Sequence, residues 1–148
     1  MRLSTRGTYG TRAMLDLAIH YSKKPVLLRD IAGRQEVSGR YLEQIMTLLV
    51  SAGLVQSMRG RQGGFRLAKL PEQIKLSQVI QAVEGSIAPV PCVDDPKWCK
   101  RSAICVTRDI WGKMKQAMLA VLEAVTLQDL SEMQKKKVTK TEYQMYYI

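Results

Sequence analysis

The chain has three cysteines, and all of them fall close together: Cys92, Cys99 and Cys105, separated by six and five residues. The segment that carries the first two, Pro91-Cys92-Val93-Asp94-Asp95-Pro96-Lys97-Trp98-Cys99, is polar and broken by prolines. Buried structural cysteines scatter as small fillers among apolar residues, whereas these three gather on one largely polar stretch. Thiolates are the soft donors that iron–sulfur clusters and zinc select. An odd, clustered set fits metal or thiol redox chemistry better than a disulfide frame. Three thiolates leave a fourth coordination position to another donor. Asp94, Asp95 and Asp109 lie near in sequence, whereas the single histidine, His20, lies far upstream.

A second set of residues has the chemistry of polyanion recognition. Lys+Arg outnumber Asp+Glu by 23 to 13, a net charge of +10 over 148 residues. Residues 1–70 hold 12 of the cations against 4 acids, and residues 71–148 hold 11 against 9. Concentration of the excess in one half points to a nucleic-acid-binding module there. Within it, Arg59 and Arg61 flank Gly60 in the basic, glycine-rich stretch 58–64, which suits a narrow groove of negative potential. Ser38, Gly39, Arg40, Tyr41, Glu43 and Gln44 form a second candidate set. Arg40 could pair with guanine, Gln44 with adenine, and Glu43 could accept from cytosine at some cost in phosphate repulsion. No Ser/His/Asp arrangement, phosphate loop or paired acids are found, so no enzyme is expected. No apolar run reaches the ~18 residues of a membrane span. The start of the chain is not a signal peptide, because its first apolar run contains Asp16. A cytoplasmic protein is expected.

These residues need elements to hold them. Ala13, Met14, Leu17, Ala18 and Tyr21 recur at helical spacing, predicting a helix over 9–21. A short helix marked by Leu28, Ile31 and Ala32 follows. Then comes a turn at 37–39 and a third helix with Leu42, Ile45, Met46, Leu49 and Val50 on one face. Ser38 is a natural N-cap and Gly53 a natural left-handed terminator. This is a helix-turn-helix over about 28–51. Two short strands at 54–57 and 65–68 bracket the basic tip, making a winged helix with its wing at about 55–68. Further on, Ser77 is expected to cap a helix ending at Gly85, and 86–101 to form a loop. A long helix is expected over about 102–125. Ile110, Met114, Ala117, Val121 and Ala124 alternate in steps of four and three along it, a heptad seam that reads either as core or as a dimer contact. Thr126 and Asp129 cap a last short helix to about Met133, and the basic tail 135–148 is expected to fray.

Segments 1–10, 13–18, 41–45, 52–55 and 59–65, from Met1-Arg2-Leu3-Ser4 to Arg59-Gly60-Arg61-Gln62-Gly63-Gly64-Phe65, resemble the Rrf2 family of bacterial transcription regulators. The resemblance continues through the cysteine loop into the long helix. It implies a homodimeric winged-helix protein that binds double-stranded operator DNA, with Glu43 used for promoter choice. It also implies an iron–sulfur cluster, by analogy a 2Fe-2S cluster, on Cys92, Cys99 and Cys105. Where cluster-binding members place a histidine three residues after the third cysteine, this chain has Arg108, which stays protonated and cannot ligate. Other members use an acidic residue of the first helix, at the position of Thr8 here.

The expectation is thus a mainly α protein: a winged helix-turn-helix domain at 1–70, a cluster loop with dimerisation helices at 71–134, and a tail. Its expected function is that of a DNA-binding regulator, a repressor, sensing cluster supply or redox stress. The alternatives are a metal-free regulator of the same family responding to thiols or cysteine metabolism, and an adaptor whose wing binds protein.

Overall fold

A computed structural model describes residues 2–146. It is mainly helical, with one two-stranded antiparallel sheet: α1 (Thr5–Ile19), α2 (Leu28–Gln35), α3 (Gly39–Ser51), β1 (Val55–Met58), β2 (Gly64–Leu67), α4 (Leu76–Glu84), α5 (Val106–Glu123) and α6 (Leu127–Tyr146). The helix α1 starts a turn earlier than its apolar spacing suggests. Ser4 caps it, accepting the Gly7 N–H at 3.1 Å. Ser38 caps α3 in the same way, through the Tyr41 N–H at 3.3 Å, and Gly53 follows α3 in the left-handed region.

The core forms where the apolar stripes of α1, α2 and α3 meet. Met14, Leu17, Ile31, Leu42, Ile45, Met46 and Leu49 are fully buried there. Burial of each contributes about 1.5–3 kcal/mol. Ile74, Val79, Val83 and Leu127 belong to the same cluster, so the boundary expected at 70/71 runs through one continuous core. Helix α1 is the central element, packed against α2, α3, α4, α6 and β2.

The later helices differ from the sequence expectation in three ways. Lys75, not Ser77, is the N-cap of α4, and its N–H is received by the Gln78 side chain at 2.9 Å. Helix α5 begins at Val106 instead of Ser102, because the Ser102 hydroxyl turns back to the Cys99 carbonyl at 2.7 Å and closes a separate turn. Helix α6 does start at the Thr126–Asp129 cap, where Thr126 N–H donates to Asp129 at 2.8 Å and Asp129 N–H to Thr126 at 3.1 Å. It then runs on to Tyr146 instead of fraying after Met133. Beyond Met133 it carries four lysines and two glutamines and no glycine or proline, so nothing stops a helix already nucleated by the cap. Tyr147 and Ile148 of the expected tail lie outside the described residues.

Candidate DNA-reading surface and cysteine loop

The first two turns of α3 present Ser38, Gly39, Arg40, Glu43 and Gln44 to solvent together. Tyr41 is different. It is half-buried, and its ring meets that of Tyr9 edge-on, with centroids 6.3 Å apart and planes at 89°. Its place is between α3 and α1, not among the outward residues.

The wing pairs Val55 with Leu67, Gln56 with Arg66, Ser57 with Phe65 and Met58 with Gly64. Arg66 donates to Gln56 across the strands at 2.9 Å, while Arg59 and Arg61 stand exposed at the tip. The structure uses Gly64 internally. Val26, in the link between α1 and α2, exchanges two backbone hydrogen bonds with Phe65 (2.7 and 2.8 Å) and adds a third edge to the wing. Gly64 has φ +143°, and a Cβ there would sit 2.4 Å from the Val26 carbonyl oxygen. Gly64→Ala is therefore expected to destabilise the fold by about 2 kcal/mol or more, from steric overlap together with backbone strain. A urea denaturation midpoint equal to that of the wild type would contradict this.

Gly85 ends α4 with φ +76° and opens the cysteine loop. Cys92 lies in a 3-10 turn at Pro91–Val93, Cys99 terminates a second at Pro96–Trp98, and Cys105 is the N-cap of α5. Two cations of α5 hold the loop. Arg108 donates from Nε to the Cys92 carbonyl at 2.8 Å, and Lys115 reaches the Asp94 carboxylate, which also accepts the Ser86 hydroxyl. These contacts, the Lys115 hydrogen bond first, hold the Asp94 carboxyl below the usual range. The Thr107 hydroxyl, 3.1 Å from the Cys105 sulfur, is the largest cause of a lowered Cys105 pKa, followed by the Arg108 backbone; the Arg101 charge adds to it.

All three thiols are half-buried and free. Their chemistry fits a soft cluster, with one of them already held toward the thiolate form. Among the described residues, however, no three His, Cys, Asp or Glu side chains converge as a cage. Two of the candidate fourth donors are engaged elsewhere: Asp94 with Lys115, and Asp95 in capping its own turn through the Lys97 N–H at 3.0 Å. His20 sits at the end of α1 with Nδ1 2.9 Å from the Asp16 carbonyl oxygen. The Thr8 hydroxyl donates to the Ser4 carbonyl at 3.0 Å, and Asp109 is exposed. Loading a cluster would thus require the loop to rearrange.

Two contacts that tie distant elements together escaped sequence reasoning. Asp16, in the apolar stripe of α1, is buried and receives both Arg34 nitrogens (2.9 and 2.7 Å) and the Gln35 amide (3.0 Å), joining α1 to the end of α2. A lone charge in an apolar helix face was the signal available. Glu84, at the end of α4, accepts the Ser4 N–H at 2.8 Å and the Ser4 hydroxyl at 2.6 Å. Gly7 leaves it room, since a Cβ there would stand 2.0 Å from the Glu84 oxygen.

A family profile described as "Rrf2: Iron-dependent Transcriptional regulator" matches residues 3–133. Protein rrf2 of Nitratidesulfovibrio vulgaris is 45% identical over 130 residues, 88% of this chain and 87% of that one. Among solved structures, CymR, the global cysteine regulator of B. subtilis, superposes with a TM-score of 0.73 at 35% identity, covering 89% of this chain and 97% of that one. T. potens IscR superposes with a TM-score of 0.73 at 40% identity, covering 89% and 87%. No helix among the described residues is long and apolar enough to cross a membrane.

Proposed function

This chain belongs to the Rrf2 family of transcriptional regulators, and from that premise we propose that it is a homodimeric repressor whose DNA binding responds to an iron–sulfur cluster. The observation that carries the sensing half is the placement of all three thiols on one segment, between the Gly85 hinge and the N-cap of α5. Cys92, Cys99 and Cys105 would hold the cluster, for which a two-iron form is favoured. The bound group would supply sensitivity to oxidants and to cluster supply. The fourth donor is then weak and exchangeable, because Arg108 cannot ligate.

The chain's own contacts offer a route from loop to DNA. Reordering of 86–105 pulls on Glu84 through Gly85. Glu84 is bonded to the first turn of α1, and α1 braces the helix-turn-helix. On the DNA side, Ser38, Gly39, Arg40, Glu43 and Gln44 would face base edges in the major groove, with Tyr41 behind them. Arg59 and Arg61 would reach backbone or minor groove. Arg59→Ala or Arg61→Ala is expected to weaken operator binding and to lower the slope of log affinity against log salt by roughly one unit. Unchanged affinity and slope in both variants would take the wing out of the interface.

The metal-free reading has its own supporting observation: among the described residues the three thiols do not converge. Anaerobic reconstitution with iron and sulfide separates the two. The cluster reading expects bound iron and acid-labile sulfide, and loss of visible absorption in each single Cys→Ala variant. Protein that holds neither iron nor sulfide would overturn it and leave the thiol regulator.

A further inference from the structure

We propose that Arg12 and Tyr9 of α1 are positioning residues for sequence recognition: they fix the pose of the recognition helix α3 from behind without touching DNA. The inference rests on the reading of α3 as the DNA-reading helix. Tyr9 meets Tyr41, in the first turn of α3, edge-on at 6.3 Å. Arg12, nearly one turn further along α1, lies with its guanidinium carbon 5.2 Å from the centre of the Tyr9 ring. It also donates from Nε to the Gln35 side-chain oxygen and from Nη2 to the Gln35 backbone carbonyl, both at 3.0 Å.

Gln35 is the last residue of α2, and Glu36 after it turns the chain with φ +52°. One stack of side chains on α1 therefore grips both sides of the turn between the two helices: the end of α2 through Arg12, the start of α3 through Tyr9. The Gln35 amide has its other end on Asp16 at 3.0 Å, so its oxygen is oriented toward Arg12 and cannot flip without losing a buried contact. The turn itself is held by the Glu36 and Val37 N–H groups, which donate to the Gly33 and Ala32 carbonyls, and by Val37 packed on the core, whereas Ser38 and Gly39, which open α3, are exposed. Base-edge hydrogen bonds demand placement to a fraction of an ångström. A loosened α3 would keep its charge and its general attraction for DNA while losing discrimination. Arg12 is half-buried with its guanidinium engaged by Gln35 and Tyr9, which is the arrangement of a brace and not of a phosphate contact.

The test measures base preference by selection from a random-sequence DNA library, alongside salt-dependent affinity for the DNA the wild-type protein selects. Arg12→Met and Tyr9→Leu are expected to reduce the preference for the selected sequence over random DNA by about threefold to tenfold, the scale of one aromatic pair or hydrogen bond. The salt slope should stay unchanged and Tyr9→Phe should behave as wild type, because the ring edge and face remain. If Arg12→Met lowers the salt slope by about one unit and keeps the base preference, Arg12 contacts phosphate and the proposal falls. It falls equally if Tyr9→Leu discriminates as well as wild type. Should Arg12→Met not fold, the Tyr9→Leu and Tyr9→Phe pair decides alone. Gln44→Ala serves as the control. If it too leaves the preference unaltered, the assignment of α3 as the reading helix has failed; if only Gln44→Ala alters it, the brace alone is wrong.

Discussion

Placing glutamates at both Met114 and Val121 is expected to convert the protein to monomers and to weaken operator binding by roughly 10²-fold or more. Helix α5 is eighteen residues long without a single buried side chain. It touches α4 and the first 3-10 turn of the loop, so Trp111, Met118 and Leu122 are half-covered. Ile110 and Val121 remain 51% and 67% exposed. The seam Ile110, Met114, Ala117, Val121 and Ala124 keeps the alternating spacing of a helix that pairs with another. In the proposed homodimer this stripe would be covered by its own copy in the partner, related by twofold symmetry. Two carboxylates in that stripe would have to be desolvated without partners, which dimerisation cannot offset. A monomer then engages one half-site without the local concentration that its partner supplies. Sedimentation at micromolar concentration is the measurement, and wild-type protein sedimenting as a monomer would end the dimer proposal.

Asp16→Asn is expected to cost about 3 kcal/mol of folding stability at pH 7. Burial by itself pushes the Asp16 carboxyl up. The hydrogen bonds from Arg34 and Gln35, with the charges of Arg34 and His20, outweigh burial and leave its pKa below the usual carboxylate value. The substitution leaves Arg34 without its counter-charge and Gln35 without its anchor. A carboxyl whose folded pKa is depressed stabilises the fold fully above its unfolded pKa, and that contribution is lost as pH falls through the folded value. The stability gap between wild type and Asp16→Asn should therefore be constant from pH 7 to about 5 and shrink below about 4. Urea denaturation across that range reads it out. A gap that persists undiminished at pH 3 would show that the effect comes from shape and not from the charge.

The sequence alone sufficed for features whose causes are local. Helical spacing marks α1, α3 and α5, because one face of each must be apolar at 3.6-residue intervals whatever it packs against. Ser38, Thr126 and Asp129 announce helix starts, since a cap bonds within three residues of itself. The glycine-rich basic tip and the three thiols are legible as residue types, and so is the family they resemble. What the tertiary structure decided are contacts between positions far apart in the chain. Asp16 reads as an ordinary charge until α2 brings Arg34 and Gln35, eighteen and nineteen residues away, onto it. The edge-on packing of Tyr9 against Tyr41 and the close approach of Val26 to Gly64 likewise join segments far apart in sequence. Glu84 and Ser4 meet across eighty residues. The cysteines were visible as a set, yet the contacts of Arg108 and Lys115 that tie their loop to α5 were not. Local rules act through the backbone over one or two turns. Long-range pairing depends on which faces the whole core brings together, and no short stretch of sequence carries that information.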